Sequence, residues 1–325
     1  MAVPRWSGDY FRWQLRMDHP QYRRHLIAAY EGSRLVGAIL HFPVQFSLSG
    51  ELMNASQQSW LSVSPDFRRQ GVGNAMIERS IAVHREWRCR IKLGFTYYGG
   101  RASLGPKFWL RSQMENSKHI CNAGFWVRVL DPVRAADWNV NRFEGWMTRL
   151  SAPLFPTLRQ RSSSKHVIRV AEHRDIPRCL LLVDQATRHC DLRLVWDANS
   201  LGRQLGLNGY SHALVLEEQG EVRGFITFHV LPMLGRTEAR VGVIDLVAVS
   251  ELSRTDRNEL IDSALMALKQ LGAIVALKLR LGDYPRGLFL RRGWFLRPAD
   301  SHVIVRWIRD PQPILPLRRI HILWR

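Results

Sequence analysis

The stretch Trp60–Ile81, WLSVSPDFRRQGVGNAMIERSI, changes period halfway. It opens as an apolar alternation, which reads as a strand. Met76, Ile77, Ser80, Ile81 and His84 then recur at helical spacing and predict a helix over 74–87. Between the two lies PDFRRQGVG, with Arg68, Arg69, Gly71 and Gly73 in one turn. The first amides of a helix have no intrahelical partner, and the helix dipole favours negative charge there. Glycine lets the backbone curl and approach a ligand closely. The two arginines add charge-assisted contacts, so the turn suits a diphosphate. It is not a P-loop, because no Lys-Ser/Thr follows the glycines. Nor is it a dinucleotide fingerprint, because the third glycine is missing.

Around this turn the chain has the composition of a globular protein, with 325 residues, 46% of them hydrophobic. That length suits about two domains. The formal net charge of +19 favours acidic partners, or else reflects general arginine richness. Cys89, Cys121, Cys179 and Cys190 are scattered, which argues against a zinc site or a disulfide framework, and no metal is expected. The opening MAVPRWSGDYFRWQLR lacks a secretory apolar core, and no apolar run is long enough to span a membrane. The expectation is a cytoplasmic protein.

A short helix (YFRWQLRM), a hairpin about Glu31-Gly32-Ser33 and further strands precede the turn. IKLGFTYY reads as the strand after the helix, GPKFWLRS as a short helix and ICNAGFWVRVLDP as a strand. Residues 151–165, SAPLFPTLRQRSSSK, read as a linker. The pattern then restarts. HALVLEEQGEVRGFITFHV is a hairpin about Gln219-Gly220, and RNELIDSALMALKQLGA is an amphipathic helix. IVALKLRL, GLFLRRGWF and HVIVRWI read as closing strands. WLSVSPDFRR matches IDLVAVSELSR, and IKLGFTYYGG matches VALKLRLGDY. A repeat of domain length implies two copies of one α/β fold on a mixed sheet.

Val63-x-Pro65-x-x-Arg68-x-x-Gly71-x-Gly73, between strand and helix, resembles the coenzyme A signature of the GNAT acyltransferase superfamily. The resemblance covers most of 25–130 and 166–308. It implies two GNAT-like domains in tandem, 1–150 binding acyl-CoA and 166–325 a degenerate copy that would bind the acceptor. The second turn, SELSRTDRNEL, has neither glycine and carries Asp256 and Glu259. The working-plus-degenerate layout also resembles the N-myristoyltransferases.

The resemblance further implies that Leu61, Ser62, Val63, Arg68, Arg69, Gln70, Gly71, Val72, Gly73 and Asn74 hold the coenzyme. The pantetheine arm would lie between splayed strands like an added strand. Amides near Trp60 and Leu61 would polarise the thioester carbonyl, and Tyr98 or Tyr97 would protonate the leaving thiolate. Tyr284 occupies a comparable place in the second copy. No carboxylate stands before the coenzyme strand, where Gln57 and Gln58 are found. The base is therefore open among a water chain, His84 and the carboxylate of Arg325. Asp245 either addresses an amine or makes a salt bridge.

The implied reaction is acyl transfer, foremost acetyl transfer, from acetyl-CoA or a longer acyl-CoA to an amine. The acceptor is unknown: a small molecule, a sugar amine or a peptide. A long-chain transferase, a non-catalytic acyl-CoA-binding protein and a nucleic-acid binder remain as alternatives.

Overall fold

The computed structural model describes residues 2–17, 19–97, 116–155, 158, 165–207, 209–285, 287–290, 293–309, 311 and 317–325. GPKFWLRS and Tyr98 lie outside them, as does most of the expected linker.

The first half begins with β1 (Val3–Pro4), α1 (Gly8–Leu15) and α2 (Pro20–Arg23). The hairpin of β2 (Leu26–Glu31) and β3 (Arg34–Leu48) turns at Gly32, whose φ is +56°. Next come β4 (Glu51–Val63), α3 (Val72–Glu86), β5 (Ile91–Tyr97) and β6 (Ser117–Val129). Two helices the sequence reading did not recognise follow, α4 (Pro132–Trp138) and α5 (Arg142–Leu150). Asp131 and Asn141 cap them through their side chains, and Pro132 opens the first.

The second half comprises β7 (Val167–Val170), α6 (Ile176–Thr187), β8 (Leu192–Val195) and α7 (Ala198–Gln204). It continues with β9 (His212–Glu218), β10 (Glu221–Leu234), β11 (Glu238–Ala248), α8 (Arg254–Gln270) and β12 (Ala273–Arg280). It closes with β13 (Trp294–Trp307) and β14 (Ile320–His321). The stretch GLFLRRGWF is not a strand of its own. Residues 287–290 form turns, and Trp294 begins a single strand that runs on through HVIVRW.

Among the described residues, both halves contribute to one mixed 14-stranded sheet ordered β14-β8-β3-β4-β5-β13-β6-β12-β11-β10-β9-β7, with β1 on β10 and β2 on β3. Each half contains a parallel β-α-β unit, β4-α3-β5 and β11-α8-β12. The halves are joined through their last strands. β13 of the second half pairs antiparallel with β5 of the first, and β6 of the first pairs antiparallel with β12 of the second. β13 and β6 then pair with each other at the centre. A central strand is buried on both faces, which explains why β6 ends in the nearly unbroken run AGFWV.

Helix α3 covers one face through Met76 and Ile77 against Ile39, and α8 covers a second patch through Leu260, Ile261, Ala264, Leu265 and Leu268. One large core on the other face draws Tyr10, Phe46 and Leu93 from the first half. Phe225, Leu279 and Val303 come to it from the second, with Ile320 and Ile322 from the terminal segment. Among the described residues, no helix is long and apolar enough to cross a membrane.

Candidate active site

Strands β4 and β5 pair in parallel only from Ala55–Ile91 to Gln58–Gly94. Beyond that point they diverge. β4 carries a one-residue bulge at Ser59, where pairing with β3 shifts between Leu40–Trp60 and His41–Gln58. Beyond Gly94, β5 stays with β13, pairing Phe95 with Val303 and Thr96 with His302. A bulge bends and twists a strand, and here it turns β4 away from its neighbour. Trp60–Val63 therefore keep β3 on one side and lose β5 on the other. Alternate main-chain groups of this segment face the opening, and Trp60 and Leu61 are paired in the sheet on one edge only.

At the end of β4 the chain makes a 3-10 turn, Pro65–Phe67, and enters α3. Arg69 and Gly71 both adopt left-handed backbone, with φ of +63° and +83°. Gly71 is the N-cap, and no side chain caps the helix. The first-turn amides of Val72, Gly73 and Asn74 thus point out of a backbone that the two left-handed residues curl open. The turn is braced from within: Arg68 Nε donates to Val63 O at 3.1 Å and Gln70 Nε2 donates to Asp66 O at 2.8 Å. Arg68, Arg69 and Gln70 are exposed, as are Ser62 and Asn74, while Leu61, Val63, Val72 and Gly73 are half-buried. A Cβ on Gly73 would meet only Val63 Cγ2 at 3.8 Å, so packing does not require glycine there.

The opening has two sides. On the α1 side, Trp60 lies with its ring 4.7 Å from that of Trp6, and Gln14 donates to Ser59 Oγ. On the α3 side, a cavity of about 30 Å³ sits at the apex of the splay, lined by Gln58, Lys92, Gly94, Thr96, Ser117 and Arg306 among others. That is room for about one water-sized group. Behind it Ser80 Oγ accepts from Lys92 Nζ at 2.9 Å and donates to His41 Nε2 at 2.9 Å. His84 Nδ1 donates to Ser80 O at 2.5 Å. Burial, with Lys92 close by, pushes the imidazole of His84 down to about 3, and His41 is lowered well below its usual value for the same reasons. Both rings are neutral at pH 7. His84, entertained above as a base, is fully buried and committed to the helix backbone.

Lys92 is 5% exposed, and burial, with Arg306 nearby, brings it down from 10.5 to about 7. The unfolded chain keeps a proton on this lysine over a pH range in which the folded chain has released it. Stability should therefore rise with pH between about 7 and 10.5 from this group. The slope it adds is at most about 1.4 kcal/mol per pH unit. Urea unfolding of Lys92→Met at several pH values across that window should show this increment removed relative to the wild-type chain.

The second junction is built alike and closed. α8 is capped by Ser253, whose Oγ accepts from the Asp256 amide at 3.2 Å and donates to Asp256 Oδ2 at 2.6 Å. His166 Nε2 lies 2.8 Å from Glu259 Oε2, and its Nδ1 lies 3.7 Å from Asp256 Oδ1. Asp256 and Glu259 are thus held by protein groups at the helix start, where they oppose an anion. The second splay is filled too. Its last parallel pair is Ile244–Lys278, the counterpart of Gln58–Gly94. Where the first half has glycine, Lys278 sends its ammonium to Asp245 O at 2.8 Å and Asp283 Oδ2 at 3.1 Å. Aligning IKLG with VALK displays this exchange in the sequence, and it passed unnoticed there.

Two of the remaining candidates, Tyr284 and Asp245, are structural. Tyr284 OH accepts from Trp126 Nε1 at 2.5 Å, and burial raises its pKa. Asp245 is an ion-pair residue: its carboxylate takes Arg325 Nη1 at 2.8 Å and Nη2 at 2.9 Å, Gln204 Nε2 at 2.7 Å and His229 Nδ1 at 2.9 Å. Tyr97 ends β5 opposite Ser301.

An uncapped glycine turn feeding a helix, beside parallel strands parted by a bulge, is the arrangement that the resemblance to the GNAT superfamily implied. Residues 7–100 match the family model described as an acetyltransferase (GNAT) domain, which supports an acyltransferase. Among solved structures it is similar to Saccharomyces cerevisiae N-myristoyltransferase with bound myristoyl-CoA. The TM-score is 0.73 at 14% identity, covering 98% of this chain and 80% of that one. The same enzyme with myristoyl-CoA and inhibitors gives a TM-score of 0.72 at 13% identity, covering 98% and 79%. A GCN5-related N-acetyltransferase from Kribbella flavida gives 0.54 at 13% identity, covering 93% of this chain and 64% of that one. At these identities the likeness is one of fold. No curated protein matches the chain.

Proposed function

We propose that the protein transfers an acetyl group from acetyl-CoA to an amine by direct attack on the thioester. One observation carries the reading: of two like-built splayed junctions, the first is open and uncapped, while the second is plugged by Lys278 and capped by Ser253. The first-turn amides of α3, with Arg68 and Arg69, suit the coenzyme's diphosphate. The pantetheine arm would take the edge of Trp60–Val63 that β5 leaves, as an added strand. That edge also supplies fixed N–H donors for charge growing on the carbonyl oxygen. Tyr97, the last residue of β5, or Tyr98, next in the sequence, would be proton donor to the thiolate. No carboxylate takes the amine's proton at Gln57 or Gln58, so the acceptor enters as the free amine or gives its proton to water. The second half would hold that acceptor, a small amine, a sugar amine or a peptide. The donor puts the reaction in the cytoplasm, where acyl-CoA is made and used.

The apex of the splay supports a short acyl group. A cavity of about 30 Å³ bounded by Lys92, Thr96 and Arg306 suits a methyl-sized head and not a long chain. A long-chain donor is the second reading, favoured by the likeness to the N-myristoyltransferase fold over 98% of the chain. Thermal unfolding with acetyl-, malonyl- and myristoyl-CoA distinguishes them. Acetyl-CoA at 100 times its Kd should stabilise by about 2.7 kcal/mol. Greater stabilisation by myristoyl-CoA would reverse the assignment. Release of free thiol from acetyl-CoA on adding members of an amine panel separates an enzyme from a protein that only binds the thioester.

A further inference from the structure

Lys92 is a buried amine at the apex of the splay. It pairs with Ser56 of β4, two residues before Gln58–Gly94, the last pair before the strands part. Lys92, Gly94 and Thr96 stand at alternate positions of β5 and share the face that α3 covers. Gly94 brings no side chain to that face. The cavity of about 30 Å³ has all three residues in its wall.

The two buried lysines of the two splays are held differently. An ammonium group has three hydrogens to donate, and a buried one needs a countercharge. Lys278 has both a carbonyl, Asp245 O at 2.8 Å, and a carboxylate, Asp283 Oδ2 at 3.1 Å. Lys92 Nζ has one hydrogen-bond partner among the described residues, the neutral Ser80 Oγ at 2.9 Å. No carboxylate stands among the described residues of the cavity wall. Behind Ser80, His41 and His84 are neutral and supply no countercharge. Ser80 spends its own hydrogen on His41 Nε2, so it leaves the lone pair of a neutral Lys92 unused. Lys278 thus has the surroundings of an ammonium ion and Lys92 those of a free amine. The lowering of Lys92 to about 7, from burial and from Arg306 nearby, agrees.

We propose that Lys92 is a self-acylation site, which takes the acyl group of a bound acyl-CoA when no acceptor amine is present. This rests on the acyl head lying at the apex of the splay, as proposed above. Nζ attacks the thioester carbonyl carbon, and the C–S bond breaks as the C–N bond forms. The proton leaving the nitrogen goes to the thiolate, so the products are an amide on Lys92 and free coenzyme A. No other reactant enters. The amide carries no charge and stays attached. Its acetyl group occupies the cavity, which closes the cleft to a second donor molecule.

Incubation of the full chain with acetyl-CoA at pH 7, with no amine added, tests this by intact mass and peptide mapping. Lys92 should be acetylated on the order of 100-fold faster than the exposed Lys118, Lys165 and Lys269. An ordinary lysine, with a pKa of about 10.4, has far less free amine at that pH. The rate should saturate with acetyl-CoA, and the acetylated chain should no longer be stabilised by it. Below saturation, Gly73→Asp should slow the labelling of Lys92 by about 100-fold, through weaker binding. Lys92→Met reports the background from other amines. Calorimetric titration of the wild-type chain with acetyl-CoA separates two failures. Binding without label on Lys92 overturns self-acylation and leaves the coenzyme site standing, whereas absence of binding removes both. Labelling of Lys92 at the same rate in Gly73→Asp also overturns the proposal, because the acetyl group would then come from unbound donor.

Discussion

Gly73→Asp should abolish stabilisation by acyl-CoA while leaving the unliganded protein as stable as before. The two halves of this expectation have separate causes. Position 73 is the second residue of α3, its backbone needs no glycine, and a Cβ there makes only an ordinary contact with Val63. A carboxylate in the first turn of a helix interacts favourably with the dipole, by about 0.3–1 kcal/mol. The folded chain therefore loses nothing, and its melting temperature should move by no more than a few degrees. The same charge stands where the diphosphate is proposed to bind. Loss of one anion contact and the added repulsion together should weaken binding by about 100-fold or more, on the order of 3 kcal/mol. Isothermal titration with acetyl-CoA measures it. Asp256→Ala in α8 is the counterpart control. It removes a first-turn acid that hydrogen-bonds Ser253, costing about 1 kcal/mol of stability. It should leave acyl-CoA affinity unchanged. If both variants changed affinity alike, the assignment of one working junction would fall.

Asp245→Ala should produce the largest loss of stability, about 3–5 kcal/mol, read as a lower midpoint in urea unfolding. Asp245 is 3% exposed and Arg325 7% exposed, and they form a two-pronged ion pair. Removing the carboxylate leaves a guanidinium buried above the Trp13 ring, 4.7 Å from its centroid, with Gln204 Oε1 and the Trp324 carbonyl as its remaining acceptors among the described residues. His229 loses its acceptor as well, and Gln204 Nε2 keeps only Thr227 Oγ1 at 3.2 Å among the described residues. Asp245→Leu/Arg325→Leu should recover much of the loss, because a buried pair exchanged for apolar groups is often nearly neutral.

The pH dependence of this pair has a definite sign. Burial alone would raise the Asp245 pKa, but Arg325 and His229 outweigh it and hold the carboxyl well below the usual range. The contribution is complete above the unfolded carboxylate value of about 3.9. It is lost as pH falls through the folded value, the opposite end of the scale from Lys92.

The repeat, the hairpins and the glycine turn were legible because each is a local matter. Left-handed backbone at Gly71, alternation along β4 and helical spacing along α3 are fixed by residues adjacent in the chain. α4 and α5 escaped notice for a related reason. They are short, and Phe143, Trp146, Met147 and Leu150 of α5 are exposed, so their pattern resembled the polar linker beside them. The Lys92–Ser80–His41 cluster gave no signal, since its members come from three separate elements and meet only when α3 packs on the sheet.

The sequence by itself determined that a strand, a curled glycine turn and a helix occur in order, and that the matching stretch of the second half lacks the glycines. Those features depend on backbone dihedrals and on residue spacing within a few turns. Only the tertiary structure decided that the halves join through β13 and β6, that one splay is open and its twin plugged, and that Asp245 pairs with Arg325. Each is a contact between distant residues, set by which side chains fill the shared core, and nothing local to the chain records it.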